Sequence, residues 1–328
     1  MTQYVFKAVI LIILGAIAVV MVFIAKYWAP DRTIPELKQW QLPNSEFIDI
    51  QGMQAHVAQS ANCYTHRGNT AEKNRPETIV LLHGTSASLH TWEGWTKALS
   101  DQYCVVSMDL PGFGLTGPYT DESIEYSIEN YAAFVIQVLD HLKLGRVTLA
   151  GNSLGGKVAW RTAALYPERI GKLILVDSVG YPAIPKKVPI GFKLARYPVL
   201  APILNRILPR DVVEKSVKSV YADVSKIDDA LVDRYYELTL RQGNRQALSR
   251  RLRETDDDSD QAQIKQLDIP TLILWGAKDD LIPVENAALF HRDINNSQLV
   301  VFDDLGHVPH EEDPITTVNV VKQFLMSE

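Results

Sequence analysis

Val147-Thr148-Leu149-Ala150-Gly151-Asn152-Ser153-Leu154-Gly155-Gly156-Lys157-Val158-Ala159-Trp160 is the stretch on which the reading of the fold turns. Its first four residues are an apolar run that reads as a short buried strand, and Gly156 onward reads as a helix. Between them the pattern Gly-x-Ser-x-Gly sets Ser153 at a sharp strand-to-helix turn. Such a turn lifts the hydroxyl above the sheet edge, and glycines on either side leave room for the tight backbone. The bare pentapeptide recurs by chance in unrelated chains, so its weight comes from the strand and helix that flank it.

Working outward, short apolar runs alternate with longer helical patterns. Strands are expected at Phe47–Ile50, Met53–Ala58, Thr78–Leu82, Tyr103–Met108, Val147–Ala150, Leu173–Val176, Thr271–Trp275 and Gln298–Phe302. The last six are continuous rather than alternating, which is how strands buried on both faces read. Helical patterns such as Ser127–Leu142 and Glu285–Phe290 fall between them. The order predicts a mostly parallel eight-stranded sheet with helices on both faces. The first two runs, joined by Gln51-Gly52, predict an antiparallel hairpin at one edge.

The alternation breaks once, over about ninety residues between Val176 and Thr271, too long for a structureless loop in a compact domain. Prolines punctuate its start (Pro182, Pro185), and apolar helical patterns follow at 192–196 and 199–204. A helical cap is expected there, leaving the sheet at the end where open α/β sheets bind ligands.

A serine hydroxyl is a poor nucleophile unless a base takes its proton and a third group orients that base. Asp279 follows the run Thr271–Trp275, and His307 follows the last strand in Leu305-Gly306-His307. The order Ser153, Asp279, His307 is the one that elbow-type hydrolases need, with His307 as base and Asp279 as its orienter. His310 is a second candidate base, but it lies farther out beside Glu311, Glu312 and Asp313. Asp280 and Asp177 are second candidates for the acid; Asp279 comes first after its strand, and Asp177 reads more readily as a turn or capping residue. Asp303 and Asp304 stand too close to His307 in sequence to orient it. The oxyanion of the intermediate needs two backbone N–H donors, expected at Leu154 and at Thr85 in the turn His83-Gly84-Thr85. His83 is expected to brace that turn, while His56, His66, His90, His141 and His291 sit singly. Spacing for a zinc site is absent, so neither metal nor cofactor is called for.

These motifs resemble the α/β-hydrolase superfamily. His83-Gly84, Asp109-Leu110-Pro111-Gly112-Phe113-Gly114, Gly151-Asn152-Ser153-Leu154-Gly155-Gly156, Gly276-x-x-Asp279 and Gly306-His307 occur in its order over residues 45 to 328, apart from the insertion. Within it the elbow and the Pro-Gly-Phe-Gly loop look like bacterial esterases and lipases, and like the hydrolases that cleave carbon–carbon bonds in ring-fission products. Serine at 153 argues against the dehalogenase and epoxide-hydrolase branches, which carry aspartate there. The turn Gly84-Thr85-Ser86-Ala87-Ser88 departs both from the Gly-Gly-Gly form of one esterase group and from the glycine-proline-rich loop of the carbon–carbon hydrolases, a departure that leans the reading toward esters. The resemblance therefore implies hydrolysis of a small-molecule carboxylic ester through an acyl-enzyme, and a lipophilic ester given the apolar cap. An anionic ring-fission substrate would want an arginine in the pocket; Arg196, Arg206 and Arg210 read as helix-surface charges.

The remaining features set the context. Ala8 to Ala25 is an unbroken apolar run of 18 residues between Lys7 and Lys26, with Tyr4, Tyr27 and Trp28 at its edges. That length and those flanks fit a single membrane-spanning anchor better than a cleaved signal peptide, whose apolar region is shorter and ends in a small-residue site. An export anchor in a bacterial inner membrane with the catalytic domain on the periplasmic side is the expectation. The segments are then an anchor at 1–28, a linker at 29–45, a hydrolase core at 46–180 and 269–328, and a cap at 181–268. A formal charge of −6 with no basic run interleaved with aromatics excludes nucleic-acid binding. Cys63 and Cys104 are read as small buried hydrophobes in preference to a disulfide or a reactive thiol, since Cys104 lies within Tyr103-Cys104-Val105-Val106, and the sequence leaves open whether they pair.

Overall fold

The computed structural model describes residues 2–65, 76–182, 184–195, 197, 205–254 and 258–327. Eight strands form one sheet in the order β1-β2-β4-β3-β5-β6-β7-β8. Their ranges are β1 Ser45–Ile50, β2 Met53–Gln59, β3 Thr78–Leu82, β4 Cys104–Met108, β5 Val147–Asn152, β6 Ile170–Val176, β7 Thr271–Gly276 and β8 Ser297–Phe302. From β4 to β8 all pairings are parallel, while β1 and β2 form the expected antiparallel edge hairpin. Its turn puts both Gln51 and Gly52 at positive φ, 53° and 81°, and the Gly52 N–H is held by Asp49.

Strands β3 to β7 are buried almost throughout, as their unbroken apolar runs require. Strand β8 is not: none of its residues is buried, because it closes the free edge of the sheet. Its apolar run misled the reading because an edge strand can carry the same residues with one side open. One face of the sheet is covered by α3 (Ile128–His141), α4 (Leu154–Leu165) and α8 (Glu285–Asp293), whose Phe134, Trp160 and Phe290 are buried in one core cluster. The other face is covered by α2 (Glu93–Leu99) and α9 (Pro314–Met326), joined by a bond from Trp95 Nε1 to Thr317 Oγ1. Each such fully buried aromatic or aliphatic side chain contributes on the order of 2–3 kcal/mol.

Between β6 and β7 the chain carries α5 (Arg210–Lys218), α6 (Asp229–Thr239) and α7 (Asn244–Arg251). Of the apolar patterns expected to build this region, 196 and 198–204 lie outside the described residues. At the other end of the chain, α1 (Thr2–Lys26) is a single helix of 25 residues, about 37 Å long at 1.5 Å per residue. Its core window has a mean hydropathy of 3.2, and none of that window is buried against the rest of the protein. After α1 the chain is tied down: Ala29 N–H donates to Arg206 O, and Leu208 N–H donates to Tyr27 O. Leu37, farther along, is fully buried with Leu115 and Leu238.

The cysteines correct the sequence reading. Cys63 and Cys104 are buried, but they are bonded to each other across a separation of 41 residues. The pairing follows from topology: β2 runs antiparallel to β4, with Gln59 opposite Val106, and Ser60 N–H donates to Val105 O. The residues just beyond β2 therefore meet the beginning of β4, a juxtaposition invisible in linear spacing.

Candidate active site

Strand β3 has β4 on one side and β5 on the other, so the strand order reverses there and the loops after β3 and β5 open side by side. Leu82 pairs with Gly151, which brings His83-Gly84-Thr85 against Asn152-Ser153. Ser153 stands between the end of β5 and the start of α4 with φ 54° and ψ −115°. A non-glycine residue at positive φ is strained, and the surrounding bonds hold it there: Ser153 N–H donates to Val176 O, and its carbonyl accepts from Lys157 and Val179. The flanking glycines are required by contact. A Cβ on Gly155 would lie 2.2 Å from Leu82 O, and one on Gly151 would lie 2.1 Å from Gly155 O.

His307 Nδ1 lies 2.6 Å from Asp279 Oδ2, and both side chains are buried. Asp279 Oδ1 accepts from the N–H groups of Leu281 and Ile282, which fixes the carboxylate. A carboxylate only accepts, so Nδ1 carries the ring proton and Nε2 is left as an acceptor. Ser153 and His307 line one cavity of about 410 Å³, together with Gly84, Thr85, Ser86 and Ala87. Its opposite wall is supplied by α5, α6 and α7 through Val213, Val217, Tyr235, Thr239, Arg245 and Leu248. Among the described residues, no hydrogen bond outside helices and strands uses the N–H of Thr85 or of Leu154. Two donors thus stay free beside the Ser153 turn.

Of the competing residues, His310, Asp280 and Asp304 have other partners or surroundings, whereas Asp177 stands beside Asp279 and His307. His310 is buried with its ring centroid 4.0 Å from that of Trp92, and among the described residues neither ring nitrogen has a partner. Burial, with His307 nearby, holds its pKa well below the usual histidine range. Asp280 pairs with Lys187 and Asp304 with Lys278. Asp177 is fully buried at φ 44° and shares a cluster with Asp279 and His307 whose ligand-type atoms lie within 4.8 Å of one another. Gly276 N–H donates to one Asp177 oxygen, and among the described residues the other has no hydrogen-bond partner. Burial and then the adjacent Asp279 push the Asp177 carboxyl well above the usual carboxylate range. A neutral acid that can donate to Asp279 satisfies both carboxyl groups.

His83 Nε2 accepts from Leu110 N–H at 3.0 Å and its Nδ1 lies 2.7 Å from Gly84 O, so it joins the turn after β3 to the loop after β4. Burial holds it below the usual histidine range, consistent with a neutral ring. Asp109 accepts from Leu89 N–H, Leu115 N–H and His56 Nδ1. Burial pushes this carboxyl up, but the hydrogen bond from His56 and the imidazoles packed around it outweigh burial and bring it to about 2. His66 and Arg196 lie outside the described residues. Arg210 pairs with Asp229 and Asp233, and Arg206 stacks over Trp28.

Three residues escaped the sequence reading. Asn152 Nδ2 donates to His307 O and to Val176 O, tying the histidine loop to the serine turn. Glu312 accepts from Gly306, Ala222 and Asp223 N–H groups, clamping that loop to the insertion. Arg245 lines the cavity on α7. Asn152 stood in view beside Ser153; the other two had no periodic or motif signal.

The chain is 29% identical to the 2-hydroxy-6-oxo-2,4-heptadienoate hydrolase of Pseudomonas putida over 267 residues, covering 76% of this chain and 89% of that protein. It is 28% identical to Lipase 1 of Psychrobacter immobilis over 273 residues, covering 80% and 79%. A crystal structure of a bacterial membrane phospholipase A shares the fold with a TM-score of 0.68 at 21% identity, covering 99% of this chain and 98% of that one. The family model for the alpha/beta hydrolase fold matches residues 77–314, from the residue before β3, through the Ser153 turn, to the first residue of α9; the chain belongs to that family.

Proposed function

We propose that this protein is a serine hydrolase of lipophilic carboxylic esters, with Ser153 as nucleophile, His307 as base and Asp279 as its orienter. The observation that carries it is the 2.6 Å bond to Asp279 from a His307 that lines one cavity with a Ser153 held at positive φ. His307 Nε2 takes the Ser153 proton as Oγ attacks the ester carbonyl. The N–H groups of Thr85 and Leu154 receive the oxyanion. Collapse breaks the acyl–oxygen bond, and the alcohol leaves with the proton from His307. Water then attacks the acyl-enzyme, giving its proton to His307, and the acid departs as Ser153 is restored. One water is consumed per ester cleaved. No hydrogen bond joins Ser153 to His307 among the described residues; such contacts often tighten only when substrate binds.

Helix α1 supports a membrane location, and the Cys63–Cys104 bond supports a catalytic domain on the oxidising, periplasmic side. The test is turnover of short- and medium-chain p-nitrophenyl esters by the full-length protein in detergent, with fluorophosphonate labelling. Activity and labelling that both vanish in Ser153→Ala are expected; absent ester turnover, or turnover that survives the substitution, sinks the proposal. Hydrolysis of carbon–carbon bonds is the second reading, favoured by Arg245, which offers the cavity guanidinium an anionic dienoate would want. Faster turnover of ring-fission dienoates than of every ester would install it.

A further inference from the structure

Two features of the cavity are left unused by simple ester hydrolysis. The first is its rim, which includes Phe23 near the end of α1. The chain leaving α1 is tied to the insertion beside that rim. Trp28 bridges to Ile207, Arg32 N–H donates to Leu240 O, Gln242 N–H donates to Arg32 O, and Arg32 pairs with Glu237 at 2.8 Å. An apolar helix with no protein cover thus ends at the mouth of the candidate active site. If α1 lies in a bilayer, the mouth lies at the surface of that leaflet.

The second feature is Arg245. Its side chain is 6% exposed, one terminal nitrogen meets Asp31, and among the described residues Nε and the other terminal nitrogen have no partner. A buried guanidinium with unused donors is costly unless an acceptor reaches it, and its planar fork suits a phosphate or carboxylate. Around it the wall is apolar, with Leu208, Val213, Val217 and Leu248.

We propose that the cavity takes an anionic acyl lipid directly from the leaflet that holds α1. The acyl chain passes Phe23 and lies along the apolar wall, the ester carbon reaches Ser153, and the headgroup phosphate draws out the Arg245 guanidinium, whose Nε and second terminal nitrogen are buried without a partner among the described residues. This assignment rests on the ester-hydrolase reading and adds the substrate class, its point of entry and a subsite to it.

The experiment uses full-length protein in vesicles of ether-linked phosphatidylcholine, which offers no ester. The guest lipid is either phosphatidylglycerol or a diacylglycerol with the same acyl chains, and released fatty acid is measured beside p-nitrophenyl butyrate turnover. Arg245→Gln should lower phosphatidylglycerol hydrolysis by about tenfold more than diacylglycerol hydrolysis, the order expected for losing a charge-assisted pair. Asp31→Asn breaks the same ion pair but keeps the guanidinium, so it should preserve the preference for phosphatidylglycerol. Phe23→Ala should reduce hydrolysis of both vesicle lipids more than that of butyrate, while Tyr4→Ala at the far end of α1 should change none of them. Equal losses on the two lipids in Arg245→Gln would overturn the anion subsite. Equal losses on vesicle and soluble esters in Phe23→Ala would overturn entry along α1. Butyrate turnover without any lipid hydrolysis would reject the lipid assignment and leave the ester reading standing; absence of all three activities would remove that reading itself.

Discussion

At Ser153 a single backbone conformation joins sequence to chemistry. Its φ of 54° is held by hydrogen bonds to Val176, Lys157 and Val179, and Gly151 and Gly155 leave room for the close backbone approach around it. The proposed roles predict that Ser153→Ala and His307→Ala each lower ester turnover by roughly four powers of ten or more, and that the double variant loses little beyond either. Near-additive losses in turnover assays would show that the two do not act together. Asp177 supports a prediction of a different kind. Its folded-state pKa is raised, so between the unfolded carboxylate value and the higher folded one the native state binds the extra proton, and stability falls as pH rises through that window. Asp177→Asn keeps an acceptor for Gly276 N–H, can donate to Asp279 and tolerates positive φ. It should raise stability at about pH 8 and leave it nearly unchanged near pH 4, read by urea unfolding at both. An equal effect at the two pH values would mean that Asp177 is ionised in the folded protein.

Among the elements, the loop carrying His307 depends on contacts far from it in sequence. Glu312 receives three N–H groups from that loop and from residues 222–223, and Asn152 holds the His307 carbonyl. Glu312→Ala strands those donors and should cost on the order of 3 kcal/mol, with ester turnover falling alongside. Unfolding and turnover in one preparation check it; unchanged values would make the clamp irrelevant. The Cys63–Cys104 bond closes a loop of 41 residues between the end of β2 and β4. By chain entropy its removal in a Cys63→Ala/Cys104→Ala variant should cost about 4 kcal/mol, measurable by urea unfolding of oxidised wild type beside the variant. Strand β8 shows the limit of apolar runs as a guide: its residues match those of an interior strand, and only its place at the edge leaves them open.

For the whole molecule, the proposed membrane orientation joins the apolar helix to the disulfide. With α1 (Thr2–Lys26) read as a membrane span, as proposed, the Cys63–Cys104 bond predicts a catalytic domain outside the cytoplasm. Protease added to spheroplasts should digest that domain while a cytoplasmic marker survives; protection of both would reverse the assignment. The amino-acid sequence by itself determined the strand succession, the hairpin turn, the apolar helix and the serine elbow. Each of these is written in residues adjacent in the chain: periodicity, glycines at tight turns, or a long apolar run. It also ordered Ser153, Asp279 and His307, since each follows the end of a strand. Only the tertiary structure decided what meets across long separations. It paired Cys63 with Cys104, set Asp177 against Asp279, clamped the His307 loop through Glu312, and brought Phe23 and Arg245 to one cavity. Those contacts depend on which strands are neighbours and on how the insertion folds back over the sheet. A local pattern carries no term for either, because the free energy that selects them comes from burial and pairing between segments distant in the chain.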